Sequence, residues 1–115
     1  MAISFRGFNV NNATFECENE IEKGAAVKMS SNVCVAPAAN NDSIIGINVC
    51  SRNGFTTVQL SGYAECAYSG TAPTLGYVKL CADGNGGVKV ASGESGTLFR
   101  VLNVNTTAKT VGFIL

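Results

Sequence analysis

Short β-prone runs alternate with turn-forming clusters along the whole sequence, and this alternation constrains the fold more than any other feature. The runs are rich in Val, Ile, Thr, Phe and Tyr, whose branched or aromatic side chains suit a pleated strand, and the clusters are rich in Gly, Asn, Asp and Ser. No stretch has the periodicity of a helix. The predicted strands are Ile3–Val10, Thr14–Glu18, Ala25–Met29, Val33–Ala36, Ile44–Ser51, Thr56–Ala67, Tyr77–Cys81, Gly87–Ala91, Leu98–Asn103 and Thr110–Leu115. The pattern therefore predicts an all-β fold, a small barrel or sandwich of short antiparallel strands.

A weak internal repeat relates the two halves of the sequence. The segments Gly24–Met29, Val33–Ala36, Ile47–Val49 and Thr57–Val58 are echoed, in the same order, by Gly76–Leu80, Val88–Ala91, Leu102–Val104 and Thr110–Val111. The shared order predicts two similar sheet halves that close on one core. The alternative is that any Val-rich β protein aligns with itself to some extent.

Size and charge limit the classes of function. A chain of 115 residues is near the usual size of one domain, and 46% apolar against 14% charged residues predicts a folded protein with few surface charges. Eight basic residues balance eight acidic ones, so we expect no nucleic-acid or membrane partner. The start, Met1-Ala2-Ile3-Ser4-Phe5-Arg6, lacks the apolar run of a signal peptide, so we expect the protein to be made and kept in a cytoplasm.

Catalytic and metal-binding residue types are scarce. Histidine is absent, which removes the usual proton-transfer group near neutral pH and the commonest nitrogen ligand for zinc. The five cysteines, Cys17, Cys34, Cys50, Cys66 and Cys81, are spaced about 16 residues apart and form no Cys-x-x-Cys pair. We interpret them as reduced and buried. The sequence predicts no enzyme activity, no cofactor and no metal.

Glu16, Glu18, Glu20 and Glu22 alternate strictly, which would place four carboxylates on one face of an extended segment. They could bind a hard cation, but a flat ladder does not converge on an ion. We favour solvated charges that protect a strand edge from stray pairing or meet a basic patch on a partner.

Two further clusters have structural interpretations. The run from Asp83 to Gly87 lacks the closing Glu of a calcium loop and the Gly-Lys-Ser/Thr of a phosphate loop, so we expect a turn. Tyr63, Tyr68 and Tyr77 could stack sugars or bases, but the sequence has no Trp and no basic residues between them. We expect these rings at the rim of the core or at a subunit contact.

The N-terminal segment precedes the repeated part of the sequence. Residues 1–22 are predicted to be an arm or strand region and residues 23–115 a barrel domain, within a single domain overall. As an arm, the segment could add a strand to the sheet of a neighbouring molecule. We expect an interface with another subunit or with a partner protein to include Ile3, Phe5, Phe8, Val10, Tyr63, Tyr68 and Tyr77.

The order of elements resembles that of the capsid decoration, or cement, proteins of tailed bacteriophages. The resemblance covers about residues 22 to 115 and consists of a pattern of strands and glycines. It comprises Glu22-Lys23-Gly24 before Ala26–Met29, Ile44–Ile47, Thr57–Tyr63, Leu75–Leu80, a Gly/Asn turn before Val88–Val90, and the closing strand Thr110–Leu115. The five cysteines and the N-terminal region depart from the family pattern.

The resemblance implies a compact β-barrel or β-tulip and a place in the virion. Members of that family sit as homotrimers at local three-fold sites on the outer surface of the head and clamp the major capsid protein, which they stabilise. The function expected here is therefore capsid decoration, with the major capsid protein and further copies of this chain as partners. The alternative is a non-catalytic module on a phage tail or fibre that recognises a glycan or a cell surface.

Overall fold

The computed structural model describes residues 11–92 and 96–115. All regular secondary structure in these two ranges is β-strand, which confirms the predicted all-β fold. The predicted strand Ile3–Val10 lies outside the described residues. The strands are β1 (Asn11–Glu16), β2 (Ala26–Ser31), β3 (Cys34–Pro37), β4 (Gly46–Arg52), β5 (Phe55–Ser61), β6 (Tyr63–Ser69), β7 (Gly76–Ala82), β8 (Val88–Val90), β9 (Thr97–Asn105) and β10 (Thr110–Ile114).

The strands form two closed five-stranded barrels with the same topology. The first barrel has the order β1-β3-β2-β4-β5, and β5 returns to pair with β1. The second barrel has the order β6-β8-β7-β9-β10, and β10 returns to β6. Each barrel has one parallel pair, β1 with β3 and β6 with β8, while the other pairs are antiparallel. The second barrel therefore repeats the first with every strand number raised by five.

This repetition confirms the internal repeat in the sequence. The segments that echo each other fall on equivalent strands: Gly24–Met29 and Gly76–Leu80 lead into or form β2 and β7, and Ile47–Val49 and Leu102–Val104 lie in β4 and β9. The remaining two pairs of segments correspond to β3 with β8 and to β5 with β10. A chance alignment of Val-rich strands would not preserve order, direction and closure together.

One predicted strand is wrong at the connection between the two barrels, where β5 leads into β6. The strand predicted over Thr56–Ala67 is two strands, because Gly62 adopts a φ of 91° and separates β5 from β6. That backbone conformation is easily adopted only by glycine. The Leu115 amide donates to the Gly62 carbonyl at 3.0 Å, so the last residue of the chain returns to this connection.

The predicted hairpin at Arg52-Asn53-Gly54 is confirmed. Arg52 pairs with Phe55 across a two-residue turn that connects β4 to β5. Asn53 and Gly54 have φ values of 52° and 83°, the left-handed backbone that the tightest hairpin turns require at both positions.

The interiors of the barrels form two apolar clusters, and the larger cluster crosses the boundary between them. Cys17, Ile21, Ala25, Val27, Val35 and Val58 fill the first barrel. The second cluster contains the interior of the second barrel, including Leu80 and Phe113, together with Ala26, Ala38, Ile44 and Ile47 of the first. The Ala26 amide donates to the Gly86 carbonyl at 2.9 Å across this boundary. The barrels therefore pack as one domain.

Residues 11–22 of the predicted arm or strand region belong to the first barrel. β1 pairs with β5 along its whole length, and Glu16 also pairs with Cys34 of β3. Cys17 and Ile21, which follow β1, are buried. No barrel boundary therefore falls at residues 22 and 23.

Candidate functional site

The three tyrosines predicted at an interface occupy different environments. Tyr68 is 6% exposed and lies in the core of the second barrel, where its ring cannot reach a partner. Tyr63 is half-buried, and its hydroxyl donates to the Glu65 carboxylate at 2.9 Å. Burial raises the pKa of Tyr63, and the neighbouring Glu65 raises it further. Tyr77, at 67% exposed, projects from β7 into solvent.

The other four predicted interface residues, Ile3, Phe5, Phe8 and Val10, lie outside the described residues. The structure does bear on what an arm could bind. Every strand of the described ranges has a hydrogen-bonded neighbour on each side, because both sheets close. Several of these pairings are short, since β1 pairs with β3 only at Glu16 and Cys34, so closure leaves few long strand edges for an arm on the described part of a neighbouring copy.

The cysteines differ in exposure. All five are free thiols: Cys17, Cys66 and Cys81 are buried, Cys34 is half-buried and Cys50 is exposed. The prediction of burial is therefore wrong for Cys50, which lies near the end of β4 beside a β-bulge. Burial raises the pKa of Cys66 to about 12, so its thiol is protonated near neutral pH. In the described ranges no three acidic, Cys or His side chains cluster as a metal site would require.

The four alternating glutamates do not form one strand. β1 ends at Glu16, and Glu18, Glu20 and Glu22 follow in an irregular segment that leads to β2. All four are exposed, whereas Cys17 and Ile21 between them point into the barrel. The carboxylates are therefore solvated charges at the surface of the first barrel.

A buried polar network, which the sequence analysis did not identify, holds this acidic segment in place. The Asn48 side-chain amide donates to the Ile21 and Glu22 carbonyls, each at 3.0 Å. Its carbonyl oxygen accepts a hydrogen bond from the Thr56 hydroxyl, and Ser51 joins Thr56 at 2.7 Å. Asn48 and Thr56 are only 2% and 1% exposed. Alternation of polar and apolar residues does not distinguish such an inward-facing amide from an outward-facing one.

The Asp83–Gly87 run is a turn, as its composition predicted. The Asp83 carboxylate accepts hydrogen bonds from the amides of Asn85 at 2.7 Å and Gly87 at 3.1 Å, and from the Ser69 hydroxyl at 2.6 Å. These bonds satisfy the carboxylate within the fold. A groove of about 490 Å³ beside the turn is lined by Ser, Thr, Asp, Lys and small apolar residues and contains no tyrosine.

The most distinctive surface is the outer side of the paired strands β7 and β9. Tyr77 pairs with Arg100, and Lys79 pairs with Leu98. The same register places Leu75, just before β7, near Leu102, and both line one groove. Because alternate residues of a strand share a face, all these side chains point outward together. We call the following six residues the β7–β9 face: Leu75, Tyr77, Lys79, Leu98, Arg100 and Leu102.

The β7–β9 face is apolar with a basic centre. Leu75 is 68% exposed, Leu98 55% and Leu102 38%. The Arg100 guanidinium lies 5.4 Å from the centre of the Tyr77 ring and donates to its hydroxyl at 3.1 Å. Tyr and Arg side chains are enriched at the centres of protein interfaces, and the three exposed leucines add apolar surface around them. The sequence offered only a weak signal for this face, the alternation of Tyr77 and Lys79 with the apolar Val78 and Leu80.

A second exposed apolar group lies at one end of the first barrel. Val33 is 63% exposed and Phe55 is 54% exposed. Glu16 lies between them, because its amide donates to the Val33 carbonyl at 2.8 Å and it pairs with Phe55. Val33 has a φ of 53°, a strained conformation for a β-branched residue. We call Glu16, Glu18, Val33 and Phe55 the acidic end.

No helix in the described part of the chain is long and apolar enough to cross a membrane. Neither a protein-family model nor a curated protein matches the chain. Among solved structures, the chain is similar to the head fiber gp8.5 N base of bacteriophage phi29, with a TM-score of 0.61. The two sequences are 13% identical, and the likeness covers 92% of this chain and 93% of the other. The two proteins therefore share a fold over almost their whole length.

Proposed function

We propose that the protein is a structural component of a tailed-phage virion that binds the outer surface of the head. In this proposal a homotrimer contacts the major capsid protein at local three-fold sites and stabilises the shell. The protein performs no chemistry in this role. Its work is done by surface contacts repeated over many copies, since multivalency multiplies a modest affinity.

The fold likeness to the phi29 head fiber base is the observation that carries this proposal. It spans both barrels, so it concerns the whole arrangement and not a common small motif. At 13% identity it supports the role only in combination with the separate resemblance of the strand and glycine pattern to decoration proteins.

The surface chemistry supports the same role. The β7–β9 face offers exposed Leu, Tyr and Arg side chains, whereas the described residues hold no cluster of metal ligands. The acidic carboxylates are solvated, and the Asp83 carboxylate is satisfied by its own turn. A protein with this surface is suited to bind other proteins.

Cosedimentation with heads of the parent phage tests the proposal. Purified protein is mixed with unexpanded and with expanded capsids, and the bound fraction is measured by gel densitometry. We expect saturable binding to expanded capsids, at three copies for each local three-fold site, and a higher temperature of capsid disruption. Binding to neither form would overturn the proposal, and retention of a glycan in the same protein would favour the recognition module instead.

A further inference from the structure

We propose that the β7–β9 face binds the acidic end of a second copy of this chain, so that copies join head to tail. This inference rests on the proposed function, because it supplies the contact through which the decorating homotrimer assembles.

The internal repeat allows the β7–β9 face to be compared with the equivalent face of the first barrel, which is buried. In the first barrel the equivalent strands β2 and β4 pair through Ala26 and Ile47. Both residues are buried and belong to the apolar cluster that the second barrel completes. One barrel therefore covers the β2–β4 face of the other within the chain. The β7–β9 face is the equivalent surface of the second barrel, and within the chain nothing in the described ranges covers its outward side chains.

The side chains on the two equivalent faces differ in a way that fits an intermolecular contact. Ile47 is buried, whereas Leu102, its counterpart in the sequence repeat, is 38% exposed. The β7–β9 face also carries Tyr77, an aromatic residue stiffened by its contact with Arg100. Together the exposed apolar groups amount to roughly several hundred Å², enough for the centre of an interface.

Charge selects the acidic end as the occupant. Lys79 and Arg100 place two positive charges on the β7–β9 face. Glu16 and Glu18 place two negative charges on the acidic end, and Glu20 and Glu22 continue the acidic segment. Two basic residues adjoin this segment: Lys23 follows Glu22 in the chain, and Arg52 pairs with Phe55 of the acidic end. The four carboxylates outnumber them. Complementary charges of this kind fix orientation and suppress wrong pairings.

The acidic end also supplies apolar surface. Val33 and Phe55 are exposed, and Glu16 is joined to Val33 by a backbone hydrogen bond and to Phe55 by strand pairing, so apolar residues adjoin it on both sides. The β7–β9 face has the matching arrangement, with Arg100 and Lys79 among leucines and Tyr77. Each of the two surfaces thus contributes both apolar side chains and charges. When they meet, opposite charges would pair at the centre of an apolar contact.

The two surfaces lie on different barrels, so the contact is heterologous. A heterologous contact produces either a closed ring or an open filament. A ring of three satisfies every surface and agrees with the symmetry in the proposed function. Each copy would then use its acidic end once and its β7–β9 face once.

Charge reversal and rescue test this contact in the full chain without any capsid. Sedimentation equilibrium is measured for the unsubstituted protein, for Lys79→Glu with Arg100→Glu, for Glu16→Lys with Glu18→Lys, and for the quadruple variant. We expect a trimer for the unsubstituted protein and a dissociation constant raised about 100-fold or more in each double variant, because like charges then meet. The quadruple variant restores both signs and is expected to trimerise again.

The matched control is Lys89→Glu with Lys109→Glu, two residues outside both proposed surfaces, which changes the net charge as much as the double reversal on the β7–β9 face. It is expected to remain trimeric. Far-UV circular dichroism establishes that each variant is folded. Should the quadruple variant fail to fold, Leu75→Ser and Leu98→Ser provide a second test, and each is expected to weaken association about tenfold.

The inference is overturned if the unsubstituted protein is monomeric at every concentration, or if trimers are insensitive to reversal of Lys79 and Arg100. Its failure is distinguishable from failure of the proposed function. A monomer that still saturates expanded capsids would refute the head-to-tail contact alone. A trimer that follows the charge rules but binds no capsid would refute the proposed function alone.

Discussion

The first barrel and the second barrel have the same strand order, but their interiors differ in polarity. The first barrel encloses the network of Asn48, Thr56 and Ser51, which binds the carbonyls of the segment between β1 and β2. The second barrel encloses apolar side chains, with the rings of Phe99 and Phe113 5.0 Å apart. The same strand topology therefore accommodates either a partly polar or an apolar interior, provided that each buried polar group has a hydrogen-bond partner.

The same comparison extends to the outside of the barrels. The β2–β4 face of the first barrel is covered by the second barrel, while no other described residue of the chain covers the β7–β9 face. Equivalent faces of the two barrels therefore differ in role: one packs inside the molecule, and the other is available for contact with a partner. Pairs of substitutions at counterpart positions measure how far the barrels have diverged.

The largest effect is expected in the core of the second barrel. Phe113→Ala removes a fully buried ring that packs on Phe99 and should lower the free energy of unfolding by about 3–5 kcal/mol. Leu60, its counterpart in the first barrel, is only partly buried, so Leu60→Ala should cost less. Urea denaturation followed by circular dichroism measures both. Equal losses would show that the barrels contribute alike to stability.

The covered and the bare faces are compared through Ile47 and Leu102. Ile47→Ala empties the boundary between the barrels and should cost about 2–5 kcal/mol of unfolding free energy. Leu102→Ala, at the counterpart position, should cost less than about 1 kcal/mol because the side chain is exposed. The same denaturation experiment, carried out on dilute protein to keep it monomeric, compares the two. A large loss for Leu102→Ala under those conditions would contradict the assignment of the β7–β9 face as bare.

The polar network is tested at Asn48 and at its counterpart Asn103. Asn48→Ala removes the side-chain donor to the Ile21 carbonyl and one of two donors to the Glu22 carbonyl, which also accepts from the Ala25 amide; the loss should cost about 1–3 kcal/mol. Asn103 is exposed, so Asn103→Ala should have a smaller effect. Hydrogen exchange of the segment 17–25 provides a second measurement, and it should accelerate in Asn48→Ala alone. Unchanged exchange would remove the network as the cause.

The last prediction concerns the reactivity of the cysteine thiols, for which we expect the smallest change in stability. Cys50 is exposed and should react with a maleimide in the folded protein, while Cys66 should react only after unfolding. Two causes protect Cys66: it is buried, and its pKa of about 12 leaves very little of the reactive thiolate below that pH. Raising the pH from 7 to 9 should therefore leave Cys66 protected. Mass spectrometry of the labelled peptides gives the answer, and Cys50→Ser serves as the control for the exposed site.

Much of the fold was readable from local chemistry. Asn53-Gly54 predicted a hairpin because few other residue pairs adopt two successive left-handed conformations. The repeated segments predicted two similar halves, and the topology confirms them. The strand over Thr56–Ala67 was predicted without its break, since Gly62 alone does not show whether a strand bends, bulges or ends.

The candidate surface was much less predictable. Tyr63, Tyr68 and Tyr77 are the same residue type in similar β-prone runs, yet one is half-buried, one lies in the core and one is exposed. The sequence analysis did not predict an interface role for Leu75, Leu98, Leu102 or Arg100. An exposed leucine on a strand looks the same in sequence as a buried one on the other side of the same sheet.

The sequence by itself determined the all-β class, the tight turns and the two-fold repetition of strands, because backbone preferences and alternation act over a few residues at a time. The tertiary structure alone decided that each half closes into a barrel and that Asn48 points inward. It also decided that Ala26 and Ile47 are buried while Tyr77 and Leu102 are exposed among the described residues. The physical reason is that the burial of a side chain, and the charges that lie close to it, depend on residues distant in the chain. Only the packing of one barrel against the other determines which faces remain available to a partner.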